Sequence, residues 1–205
     1  TSAWVPFNAG ATAFTLVGGA VSGTLEINTN AVATNSTAVT LTYTAATGLG
    51  ATITELCFSN TAVFAPGDCQ AMPSSGSRPW TLSSTDGSRT VSLRIRDNAA
   101  RELIINDSII LDTTPPSTGA VLVNGTALYT NDPAVTLTFT HDDGTGTGVT
   151  HACAISVPAP GPQPAPAASN PCFLPLATTA RTLVTGDGQK WVYVWYRDAV
   201  DNVSV

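Results

Sequence analysis

At 205 residues the chain has room for one large domain or two ordinary ones. With 43% hydrophobic and 11% charged residues it can bury real cores, while Thr, Ser and Asn supply most of its polar surface; this excludes a disordered polymer. The net charge of −6 argues against nucleic acid or an anionic membrane as partner, and no apolar run approaches the ~20 residues of a membrane span.

In chain order, Trp4-Val5-Pro6-Phe7 is an apolar start that either packs on a neighbouring copy or frays. Residues Thr12 to Val17, Thr-Ala-Phe-Thr-Leu-Val, then precede the first repeat as an apparent surplus. Val39, Leu41 and Tyr43 alternate with Thr40, Thr42 and Thr44, and Val91, Leu93 and Ile95 alternate with Ser92, Arg94 and Arg96. A period of two predicts strands with one buried and one wet face. Asp86-Gly87 and Asp187-Gly188 supply turns before the second strand of each kind. Ile104 to Leu111 reads as a closing strand, and Thr113-Thr114-Pro115-Pro116 as a stiff, extended linker. Nothing shows a helical period, so the fold class expected is all-β.

Self-similarity divides the chain. Residues 27–44 match residues 96 positions further on: Ala38-Val39-Thr40-Leu41-Thr42-Tyr43 aligns with Ala134-Val135-Thr136-Leu137-Thr138-Phe139, and Cys57 with Cys153. A longer Pro- and Ala-rich loop, Val157 to Pro171, shifts the register to 101, which pairs Leu82 with Leu183 and Arg96-Asp97 with Arg197-Asp198. Two copies imply two tandem immunoglobulin-like β-sandwiches of about seven strands each. The expected division is an N-terminal segment at 1–19, a first domain at 20–116 and a second at 117–205.

The cysteines fall as close pairs, Cys57 with Cys69 and Cys153 with Cys172, without C-x-x-C spacing and with only two histidines in the chain. Two local disulfides in an oxidising compartment is the favoured reading, each stabilising its domain by about 3 kcal/mol in the chain-entropy model.

Trp80-Thr81-Leu82, Asp86-Gly87-Ser88-Arg89-Thr90-Val91, Arg96-Asp97 and Ile109 through Pro116 resemble the bacterial immunoglobulin-like repeats found in tandem in large surface and secreted proteins. In the second copy Thr182-Leu183, Gly186-Asp187-Gly188, Val192-Tyr193-Val194 and Asp198 through Ser204 carry the likeness. Asp201 stands where that family's D-x-x-G-N-x-S turn has glycine. The resemblance implies a sandwich fold, an extracellular or cell-surface location and a role in display, adhesion or assembly. It implies no catalytic site.

The copies end differently. Val205 aligns with Ile104, so the second copy lacks a counterpart of Asn106 through Asp112, most of its final strand. Phe14 and Leu16 precede Ile27 by nearly the spacing at which Ile109 and Leu111 precede Val123. The N-terminal segment therefore reads as a closing strand without a domain to close. One expectation is a head-to-tail homopolymer built by donor-strand complementation: Ala13, Phe14, Thr15, Leu16 and Val17 of one copy enter the second sandwich of the next, beside Val203 and Val205. The competing expectation is an excerpt of a longer repeat protein, an adhesin or carbohydrate-binding fragment or an accessory domain of an enzyme, whose closing strand lies further along the same polypeptide.

Trp191, Tyr193 and Trp195 occupy a face that is polar in the first copy. They fit a subunit contact, a platform for sugar rings, or rings covered by the loop Val157 to Pro171. His141-Asp142-Asp143 lies among glycines, with His151 beyond, and reads as a solvated loop. Asp97, Asp112, Asp198 and Asp201 lie at strand ends where calcium could bind, but spacing assembles no set of six oxygens. No nucleophile–base pair or phosphate loop is recognisable, so no enzyme activity, cofactor or metal is expected. The sequons at Asn35, Asn106, Asn124 and Asn202 are expected by chance in so Thr-rich a chain.

Overall fold

The computed structural model describes residues 19–48, 50–71, 73–117, 119–165, 172–177 and 179–204. The first copy contributes β1 (Ser22–Ile27), β2 (Ala33–Thr34), β3 (Ala38–Ala46), β4 (Ile53–Ser59), β5 (Cys69–Gln70), β6 (Ser75–Thr81), β7 (Gly87–Asp97) and β8 (Glu102–Leu111). The second contributes β9 (Val121–Val123), β10 (Ala134–Phe139), β11 (Val149–Pro158), β12 (Leu174–Pro175), β13 (Ala180–Thr182) and β14 (Lys190–Asp198). Among the described residues the only helical element is a 3-10 turn at Pro66–Asp68.

The first copy folds into sheets of order β1-β3-β6 and β2-β8-β7-β4-β5; the second into β9-β10-β13 and β12-β11-β14. This is an immunoglobulin-like sandwich repeated, as the alternation requires. In β3, Val39, Leu41 and Tyr43 are buried while the threonines between them face out or half out. Tyr43 meets Phe58 of β4 edge-to-face at 5.2 Å, and Val91, Leu93 and Ile95 of β7 are buried. Two disulfides are formed, Cys57–Cys69 joining β4 to β5 and Cys153–Cys172 tying β11 to the far end of the long loop.

The chain packs as two compact units. One gathers the described residues up to Asn30 with Val39–Trp80 and Thr90–Ser108; the other gathers Ala31–Ala38, Thr81–Arg89 and everything described from Ile109 onward. The start of the linker lies in the second of these units together with Asp86. Thr113 donates to Asp86 Oδ1 from both its backbone N–H (3.0 Å) and its hydroxyl (2.8 Å), and the Thr114 hydroxyl donates to Asp86 Oδ2 (2.6 Å). The start of the linker is thus bonded in place as well as stiffened by its prolines.

One turn repeats almost atom for atom. Asp97 Oδ1 accepts from the backbone N–H groups of Ala99 and Arg101, both at 3.0 Å. Asp198 Oδ1 accepts from those of Val200 and Asn202, both at 2.9 Å. The third residue of each turn is left-handed, Ala100 at φ 60° and Asp201 at φ 70°. A Cβ costs about 1–2 kcal/mol there, which explains why glycine suits the position. Ala100→Gly should therefore raise unfolding stability by about 0.5–1 kcal/mol once glycine's greater freedom in the unfolded chain is subtracted. A shifted urea midpoint with an unchanged slope would show it.

Asp97 also sets a pH dependence. Burial alone would push its carboxyl up, but the hydrogen bonds from the Arg101 backbone, the Thr47 hydroxyl, the Arg101 guanidinium and the Ala99 backbone outweigh it and hold the group down at about 2. A folded-state value below the unfolded 3.8 means the contribution is fully present above about pH 4 and disappears as pH falls towards 2. Unfolding free energies measured between pH 5 and 2 should fall in that window. Asp97→Asn should flatten that part of the curve.

Candidate functional site

Strand β14 is the counterpart of β7, and the comparison defines the site. In the first copy β8 lies along β7 in the sheet, and its last inward-facing residues, Ile109 and Leu111, are buried while Ile110 between them is exposed. In the second copy the chain makes the same Asp-capped turn after β14 and starts back. Val203 bridges to Arg197, the Ser204 N–H donates to the Tyr196 carbonyl (2.9 Å), and the Tyr196 N–H donates to the Ser204 hydroxyl (2.9 Å). Those are the first rungs of a closing hairpin. Among the described residues no strand lies beside Lys190 to Trp195 on the side opposite β11. Backbone groups alternate along a strand, so those of Val194 and Val192 point the same way as those of Tyr196, towards that open side.

Burial agrees with this. Val91 and Leu93 are 0% exposed, whereas their counterparts Val192 and Val194 are half-exposed. Ile27, Leu25 and Tyr43 are buried, whereas Val123, Val121 and Phe139 are only partly so. Val135, Leu137 and Ala152 stay buried as in the first copy, while Leu183 is less buried than its counterpart Leu82.

Of the expected interface residues, Val203 is half-buried against the cluster of Cys153, Phe173 and Trp195. Ala13, Phe14, Thr15, Leu16, Val17 and Val205 lie outside the described residues, as do Trp4 to Phe7.

The three aromatics do not present one exposed face. Trp195 is 2% exposed, packed with Cys153 and Phe173 beside Cys172. Tyr193 stacks on it at 6.2 Å and donates its hydroxyl to the Gly161 carbonyl (3.1 Å). Only Trp191, at 40%, is substantially open. A flat sugar platform of three rings is therefore replaced by a small second core under the disulfide. Gly161 of the loop Val157 to Pro171, and Phe173 just beyond that loop, meet these rings.

A second group of residues converges where sequence spacing showed none. Oxygens of Asp112, Asp143 and Asp198 lie within 4.8 Å of one another. Asp112 and Asp198 are buried. Asp112 Oδ2 accepts from the Thr147 N–H (2.6 Å) and hydroxyl (2.7 Å); Asp198 Oδ2 accepts from the Asn202 side-chain amide (2.7 Å). Asp143 Oδ2 accepts from the Gly148 N–H (2.6 Å), while its Oδ1 is buried with no hydrogen-bond partner. Burial first, and then the neighbouring charges of Asp112, Asp198 and Asp142, push the Asp143 carboxyl up against the opposing Gly148 bond. Asp143 thus turns inward instead of lying in a solvated loop. Gly146 allows this, since a Cβ there would meet Asp143 Oδ2 at 2.6 Å and Asp112 Oδ2 at 2.8 Å. Asp97 is instead paired with Arg101 (2.8 Å), and Asp201 is exposed beside Arg197 (3.5 Å). Three carboxylates are a donor set for a hard cation, but half or fewer of the oxygens calcium takes. A second grouping, Glu55 with Cys57 and Cys69, offers no thiolate because both sulfurs are in a disulfide.

No protein-family model matches the chain, and no curated protein sequence matches it. One matching solved structure, of Clostridium thermocellum CbhA fibronectin(III)-like modules, is 11% identical with a TM-score of 0.44, over 89% of this chain and 90% of that one.

The buried position of Trp195 yields a test. Trp195→Ala should cost about 3–5 kcal/mol of unfolding stability, the loss typical of a large buried aromatic. Denaturant titration would record it, and any accompanying loss of a glycan would then reflect misfolding of the small core.

Proposed function

We propose that the chain is a non-enzymatic structural subunit of an extracellular filament, joined head to tail by donor-strand complementation. Thr12 to Val17 of one copy supplies the strand that β14 of the next copy accepts. The open β14 edge, with Val192 and Val194 half-exposed beside it, is the observation that carries this reading. Two disulfides support an oxidising, extracellular setting.

The energetics favour pairing. Burying Phe14 and Leu16 contributes roughly 2 kcal/mol each, and each backbone hydrogen bond about 1 kcal/mol more. Donor and acceptor surfaces differ, so the contact is heterologous and propagates into an open chain unless its rotation closes a ring. No charge complementarity with nucleic acid, and no membrane insertion, is required. Self-association is the only partner this mechanism needs.

Removal of residues 1–18 should abolish filaments in negative-stain images and leave a monomer by light scattering. A synthetic peptide spanning residues 8–20 should bind that truncated protein with one-to-one stoichiometry. Filaments that persist after truncation, or a full chain that stays monomeric at high concentration, would refute the proposal.

A further inference from the structure

The turn preceding β10 repeats four hydrogen bonds of the turn preceding β3. The Thr34 hydroxyl donates to the Ser36 carbonyl and accepts from the Ser36 N–H; the Thr130 hydroxyl does the same with Asp132. Ser36 Oγ accepts from the Ala38 N–H at 3.1 Å, and Asp132 Oδ1 accepts from the Ala134 N–H at 2.9 Å. The Leu82 N–H bonds the Thr37 carbonyl, and the Leu183 N–H bonds the Pro133 carbonyl. Yet the segments just before these turns differ in one respect. In the first copy, Ala33 and Thr34 form β2, which runs parallel to the end of β8 opposite Ile110 and Leu111. There the Ile110 N–H donates to the Val32 carbonyl (3.1 Å) and the Asp112 N–H to the Thr34 carbonyl (2.9 Å). In the second copy the counterparts, Leu128, Tyr129 and Thr130, belong to no described strand; Tyr129 is 92% exposed where Ala33 is partly buried, while Leu128 at 88% is as open as Val32 at 80%.

We infer that Leu128–Tyr129–Thr130 is the second wall of the acceptor slot, a parallel clamp that pairs with the incoming strand of another copy on the side away from β14. This inference rests on the donor-strand reading and adds to it a partner segment and a register. The occupant is residues 12–17 of a second copy. Eighteen residues precede the first described one, enough to supply the strand and a connection to β1.

The spacing of apolar residues fixes the alignment. Phe14 takes the place of Ile109 and Leu16 that of Leu111, so Thr15 lies opposite Tyr129 as Ile110 lies opposite Ala33. The Thr15 N–H then donates to the Leu128 carbonyl and the Val17 N–H to the Thr130 carbonyl. On the other flank, the hydroxyls of Thr90 and Ser108 touch at 2.8 Å across β7 and β8, so the same alignment sets Ala13 against Trp191. The guest strand becomes an interior strand with partners on both sides, and Tyr129 and Trp191, both open in the described chain, become covered.

Paired cysteines test the clamp separately from the assembly. All four native cysteines are in disulfides, so introduced thiols report only on themselves. One variant carries Ala13→Cys with Trp191→Cys and reports insertion beside β14. The other carries Thr15→Cys with Tyr129→Cys and reports the clamp; Ala13→Cys with Tyr129→Cys is its out-of-register control. After mild oxidation of assembled material, both test pairs should give ladders of covalent oligomers on non-reducing gels. The control should give at least tenfold less. A ladder from the first pair without one from the second would overturn the clamp and leave the filament reading standing. No ladder from either would overturn both.

Discussion

The constraint that organises this chain is backbone pairing along β7 and β14: β7 has β8 on the side away from β4, whereas among the described residues β14 has no strand on the side away from β11. A sandwich core is only about 10 Å thick. A missing strand therefore removes backbone partners from one strand and also side-chain cover from both inner faces at that edge. Val121, Val123, Phe139, Val192 and Val194 are all less buried than their first-copy counterparts. Val135, Leu137 and Ala152 remain buried, whereas Ala154 and Leu183 are, like the residues beside the open edge, less buried than their counterparts Phe58 and Leu82.

The Asp-capped turn shows how backbone geometry can persist while its electrostatics diverge. Asp97 and Asp198 hold matching backbone N–H groups through one oxygen. Through the other, Asp97 meets a guanidinium, Arg101, and the Thr47 hydroxyl, whereas Asp198 meets the neutral amide of Asn202. In the second copy Asp143 stands where the first has Thr47, with Asp112 alongside. Exchange of a cation and a hydroxyl for an amide and further carboxylates turns a satisfied ion pair into a cluster of like charge. Backbone N–H groups then carry most of the burden of stabilising it.

Much of the fold was legible because strand alternation and a fixed offset are properties of neighbouring residues. Val39-Leu41-Tyr43 and Val135-Leu137 announce their faces unaided, and the Asp-Gly pairs mark their turns. What escaped depends on distant segments. Asp143 among glycines looks solvated until the fold brings Asp112 and Asp198 to it. Trp195 looks like an outward ring until Phe173 and Cys172 cover it. Strand β2 is two residues long, too short for any period, so neither it nor its unpaired counterpart at Tyr129 could be read from pattern. The anchoring of the linker on Asp86 was equally hidden.

An exposed strand edge is ordinarily a hazard, because backbone donors and acceptors carry no sequence information and accept any extended chain. Selectivity has to come from side chains. In the proposed assembly Phe14 and Leu16 face the half-filled core while Thr15 faces away. A shift of one residue would bury Thr15 and expose both apolar groups, so the register is strongly specified. A slot with two walls adds a second filter, since the guest must run antiparallel to β14 and parallel to Leu128–Thr130 at once. A strand entering in the opposite direction would run parallel to β14 and antiparallel to Leu128–Thr130, and so would satisfy neither wall in the native sense. The polarity of the whole filament would then be decided at each junction by the direction of one short strand.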